Sequence, residues 1–127
     1  MTRATVGLVS ALLLMYLGPG PVAGESGRAN VKDVEVTATG DDTWRFDVTI
    51  ASDDRGWDAY ADAFEIVGPE GKVLGKRVLH HPHVDEQPFT RSLRGVRIPP
   101  DVERVKVRAH HSEAGYDGLT RMVELPR

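Results

Sequence analysis

Residues 43–50 read TWRFDVTI, and this stretch decides the fold. Trp44, Phe46, Val48 and Ile50 alternate with Arg45, Asp47 and Thr49. A two-residue period puts the four apolar side chains on one face of an extended chain and the polar ones on the other. That is the pattern of a strand in a sheet covered on one side only.

Working outward, the same rhythm returns along the chain. Upstream, Val34, Val36 and Ala38 alternate with polar residues, and Gly40-Asp41-Asp42 forms a turn into 43–50. Downstream, 60–67 reads as a third strand, Gly68-Pro69-Glu70-Gly71 as a turn, and 72–79 as its partner. Residues 89–96 form a fifth strand. After an Ile98-Pro99-Pro100-Asp101 corner, 102–109 forms a sixth, with Val105, Val107 and Ala109 facing inward, and 119–125 forms a seventh. Seven short strands separated by turn residues predict an all-β fold, a seven-stranded antiparallel β-sandwich.

The N-terminus has a different composition. Arg3 precedes an apolar run, Val6 to Leu17, then Gly18-Pro19-Gly20-Pro21 and the small residues Val22-Ala23-Gly24. This is the layout of a secretory signal peptide over 1–24, cleaved after Ala23 or Gly24. The run is short for the roughly 20 residues of a membrane span. Residues 25–30 read as a flexible leader and 31–127 as the sandwich domain. The expected location is secreted or periplasmic, with no stable membrane span once the signal is removed. The 127 residues contain no cysteine, so neither disulfides nor thiolate chemistry is expected. Formal net charge is −3, and removing 1–24 takes Arg3 with it. An acidic domain lacks the basic footprint that nucleic acid demands.

The stretch GVRIPPDVERVKVRAHHSEAGYDG, 95–118, resembles the E–F–G portion of fibronectin type III domains: an apolar-x-Pro corner, an alternating Val-x-Val-x-Ala strand and a glycine-containing hairpin loop. Trp44 on the second strand fits the same resemblance, which implies a fibronectin III/Ig-like sandwich. Residues 56–91, with WDAYAD and HPHVDEQPFTR, are also similar to small exported bacterial proteins of no assigned activity.

Strands of an antiparallel sandwich run alternately up and down. Loops 52–57, 80–88 and 110–118 should therefore share one end. All five histidines fall there: His80, His81 and His83 in one clump, His110 and His111 in the other. Neutral imidazole and carboxylate ligate Zn, Cu or Ni ions. His81 and His83, two apart in a proline-stiffened segment, should point the same way, with His111 closing the site and Glu86 supporting it. His80, His110, Asp85, Trp57 and Tyr116 complete the expected binding surface. Asp62 shares parity with Phe64 and Ile66, and Arg91 with Phe89 and Leu93, which predicts a partly buried Asp62–Arg91 pair. With no G-x-S-x-G, no thiol and no phosphate-cradling loop, the expectation is a non-enzymatic binding module. In one version a divalent transition metal sits in the histidine cluster. In another the loops contact a protein or envelope component without metal. A lower alternative is a metal-assisted hydrolase using His83 with Asp85 and Glu86.

Overall fold

A computed structural model describes residues 28–127. The expected signal peptide, 1–24, and residues 25–27 of the leader lie outside the described residues. Seven strands follow in order: β1 (Ala29–Gly40), β2 (Thr43–Ser52), β3 (Ala61–Val67), β4 (Val73–Val78), β5 (Phe89–Arg97), β6 (Arg104–His111) and β7 (Arg121–Glu124). They form two antiparallel sheets, β1-β2-β5 and β4-β3-β6-β7, facing each other. The predicted all-β, seven-stranded sandwich is the observed fold.

Each sheet contributes one face to the core. From β2 come Trp44, Phe46, Val48 and Ile50, all buried as the alternation requires. Phe64 and Ile66 of β3, and Val105, Val107 and Ala109 of β6, meet them from the other sheet. Burying side chains of this size contributes about 1.5–3 kcal/mol each. About a hundred residues can thus hold together without disulfides.

Two irregularities alter the parity. On β5, Trp44 is paired with Val96 and Phe46 with Leu93, so one extra residue sits on β5. Gly95 at φ +66° absorbs it. As a result Phe89 and Leu93 face inward at odd positions, while Val96 and Ile98 face inward at even ones. On β3, Ala61 pairs with His111 but Ala63 with His110, a bulge at Asp62. This overturns the expected Asp62–Arg91 pair. The extra residue turns Asp62 off the core face, and the two residues lie in different sheets.

Strand boundaries also shift, two of them with consequences for the rim. Ala29 and Asn30, expected in a flexible leader, open β1 and are buried. Asn30 is held there because its Oδ1 accepts the Leu119 N–H at 2.8 Å. β6 runs two residues past its expected end, so His110 and His111 are strand residues rather than loop residues.

Candidate functional site

The three loops do meet at one end. The Ser52 N–H donates to Gln87 Oε1 at 2.8 Å, joining the β2–β3 and β4–β5 connections. Ser112 N–H donates to the Tyr60 carbonyl at 2.8 Å, and Arg55 pairs with Glu113, joining the β6–β7 connection to the first. Asp54 is the hub. Its side chain is fully shielded from solvent. Oδ1 accepts from Ser52 Oγ at 2.7 Å and from the Ala61 N–H at 2.9 Å, and Oδ2 from the His83 N–H at 2.8 Å. One carboxylate thereby anchors two loops and the start of β3. Charge-assisted bonds to backbone N–H groups are among the stronger hydrogen bonds in proteins.

Each histidine clump divides into an inner and an outer ring. His111 continues the inward alternation of Val105, Val107 and Ala109 and is fully buried. Its Nε2–H donates to the Asp53 carbonyl at 3.0 Å, and Nδ1 accepts from the Glu113 N–H at 3.1 Å. Both nitrogens serve the local backbone. His83 is 5% exposed and stacks on Phe89, ring centroids 4.0 Å apart and planes within 11°. An arginine can only donate, so the 2.9 Å contact between Arg91 Nη2 and His83 Nε2 requires a lone pair on that nitrogen. The proton therefore sits on Nδ1, which has no hydrogen-bond partner among the described residues and lies 3.9 Å from Asp54 Oδ2. Burial, then the charges of Arg91 and His81, outweigh Glu86 and Asp54 and hold the His83 ring below the ordinary imidazole value.

The outer rings behave differently. His81 is exposed, 4.7 Å from the His83 ring, and its Nδ1 contacts the Pro82 carbonyl at 3.2 Å. His80 is exposed beside a cleft of about 330 Å³. His110 Nδ1–H donates to Asp62 Oδ1 at 2.6 Å on the outer face of the four-stranded sheet, where the bulge has put Asp62.

The predicted metal set is therefore not gathered. His111 and His83 have their rings turned into the fold, His81 faces out, and Glu86 holds Arg91 at 3.2 Å. Among the described residues, no group of three or more histidines and carboxylates is placed to hold a metal ion. Arg91, expected opposite Asp62, instead clamps His83 and Glu86. Trp44, singled out as structural, is in the core, with Arg127 5.5 Å from its ring centroid.

Of the expected binding-surface residues, Trp57 stands out. It is 67% exposed and meets Tyr60 in an edge-to-face contact, centroids 5.7 Å apart. With His81, Val84, Asp85 and Glu86 it lines a shallow depression of about 510 Å³, and Val84 there is 53% exposed. Tyr116, by contrast, packs along the sheet face. Arg108 lies 4.0 Å from its ring centroid, and its hydroxyl donates to Glu65 Oε2 at 2.9 Å. Burial pushes the Tyr116 phenol up, and its bond to Glu65 adds to this. Burial also pulls Glu65 upward, but hydrogen bonds from Arg108 and Tyr116 outweigh it and hold its carboxyl below the usual glutamate value. The Asp54 hub and the Glu65–Arg108–Tyr116 cluster carry no local sequence signature. They are isolated polar residues until the strands are paired.

No family model and no solved structure matches the chain. A protein of Halomicrobium mukohataei described as "Putative lipoprotein" is 38% identical over 96 residues, which cover 76% of this chain and 47% of that protein. The chain thus spans about half the length of the curated relative it matches.

Proposed function

We propose that this protein is an exported, envelope-associated binding module that docks a protein or envelope component through the rim depression around Trp57. The observation that carries the reading is the 67% exposure of Trp57 beside exposed Val84, on a surface whose floor is otherwise rigidly tied. Exposed apolar residues carry meaning where they are contiguous and rimmed by polar ones, as Trp57 and Val84 are in this depression. The surrounding His81, Asp85 and Glu86 form a polar rim, the usual composition around an aromatic anchor. Similarity to a protein described as a lipoprotein supports the envelope location, and the N-terminal apolar run supports export.

The test is site-specific photo-crosslinking in an envelope fraction, with the reactive group placed at 57 or 84 and, as control, at Val73 in the strand leading away from the opposite end. A defined adduct from 57 and 84 but not from 73 is expected. Once that partner is purified, Trp57→Ala should weaken it by about 2 kcal/mol, roughly 30-fold in Kd, as for an interface hot spot. Trp57→Ala should leave the melting temperature unchanged. Equal labelling at all three positions, or unchanged affinity, refutes the reading.

A further inference from the structure

We propose that the rim surface is gated by acid, with His83 as the clasp: its neutral ring holds segment 80–88 closed, and protonation at Nε2 releases it. The inference rests on the docking reading above and adds its regulation.

The geometry begins with the Arg91–His83 contact. At 2.9 Å the guanidinium donates into the Nε2 lone pair. A proton arriving on Nε2 replaces the acceptor with a second donor facing a cation. The bond then becomes a repulsion, and the ring and the guanidinium must separate. Every charged neighbour can be weighed. Arg91 on β5 and His81 on the same segment oppose the proton. Asp54 from the β2–β3 connection and Glu86 from the segment itself favour it. Asp54 is 3.9 Å from Nδ1 and already accepts three hydrogen bonds. Glu86 is already engaged by Arg91. Asp54 thus faces the Nδ1 side of the ring, not Nε2, and Glu86 is held by the arginine that must separate from the ring. Burial of the ring adds to the opposition, because a charged imidazole 5% exposed loses most of its hydration.

Release would reach the surface directly. His83 is the buried residue in a segment whose other members, His81, Val84, Asp85 and Glu86, line the depression with Trp57. Its carbonyl also receives the Gln87 amide at 2.9 Å, and that side chain in turn bonds Ser52. Displacing the ring therefore removes the segment's tie to β5 and strains its ties to the β2–β3 connection, the His83 N–H to Asp54 and the Gln87 side chain to Ser52. The rest of the sandwich, held by its own core, keeps its shape. The outcome is a binding surface that exists at neutral pH and loosens as the pH falls below the ordinary imidazole range.

Amide hydrogen exchange of the full chain tests this without any ligand. Exchange rates are expressed as protection factors, so the intrinsic pH dependence of exchange cancels. Between pH 7.5 and 5, protection of 80–88 should fall by about tenfold for each pH unit below the ordinary imidazole value while the closed-state ring stays neutral. Protection of β2 and β6 should not change. His83→Gln keeps an acceptor for Arg91 but cannot titrate, and its protection should be flat across the range. Should that variant misfold, ring nitrogen NMR of the unaltered protein decides: Nε2 should be unprotonated at pH 7.5, and its protonation should coincide with loss of the loop's amide protection. A ring that protonates while 80–88 stays protected, or a loop whose opening follows pH equally in His83→Gln, overturns the clasp. Failure of the cross-linking experiment would instead remove the docking reading and leave this result standing.

Discussion

Replacing Asp54 tests the organisation of the whole rim. Asp54→Ala removes the acceptor of three hydrogen bonds. Two of the donors are backbone N–H groups, those of Ala61 and His83, in buried bonds. Each, left unpaired, costs about 1–3 kcal/mol. The third, Ser52 Oγ, is only part-buried and can turn toward water. The expected loss is about 3–5 kcal/mol, a large share of the 5–15 kcal/mol that holds a typical domain together. Asp54→Asn is more informative. One oxygen can still accept from Ser52 and Ala61, but the amide NH2 then faces the His83 N–H, donor against donor. About 1.5–3 kcal/mol should be lost. Urea unfolding followed by far-ultraviolet circular dichroism measures both, and the denaturant slope should be unchanged because the same surface is exposed on unfolding. If Asp54→Ala costs less than about 1 kcal/mol, the carboxylate is not the hub and the rim is held by something else.

Gly118→Ala should destabilise by about 2–4 kcal/mol. An added Cβ would lie 1.9 Å from the Ala29 carbonyl oxygen, forcing β1 away from Leu119 and breaking its bonds to Asn30 and Val31. A melting temperature within a degree of the parent would show that the contact relaxes freely. Tyr116→Phe should cost about 1 kcal/mol at pH 7, less than the roughly 1.5–3 kcal/mol of a buried bond to a charged acceptor because the site is partly exposed. Glu65 is held below its ordinary value, so its contribution is present above that value and is lost as pH falls through the folded-state one. The gap between the two proteins should therefore narrow as the pH falls; a gap that does not change with acidification would separate the phenol from Glu65.

The degree to which these features could be read in advance follows their range along the chain. Strand identity was legible because alternation is a local property. Trp44 to Ile50 announces a strand whatever it packs against, and turn residues mark where each strand stops. The meeting of the three loops followed from counting strand directions. The chemistry of that end did not follow. The Asp62–Arg91 pairing failed because a bulge reversed parity at Asp62, and nothing in WDAYADAF marks where the extra residue sits. The ring orientations of the expected metal set were hidden for a related reason. His111 carries the same two-residue rhythm as Val105, Val107 and Ala109, a signal that extending the strand by two positions would have exposed. His83 is buried because Phe89 offers a face to stack on and Arg91 a donor, and both belong to the next strand.

What the amino-acid sequence determined unaided was therefore the set of strands, their apolar faces and the end of the sandwich where the histidines collect. Only the tertiary structure decided which imidazoles are structural and which are outward. Ring orientation is set by partners on other elements: the Asp53 carbonyl, 58 residues away, for His111, and Arg91 and Phe89 of the next strand for His83. The exposed Trp57 was decided in the same way. An indole in a loop can turn into the core or stand out from it, and the packing of the rim leaves Trp57 67% exposed beside Tyr60.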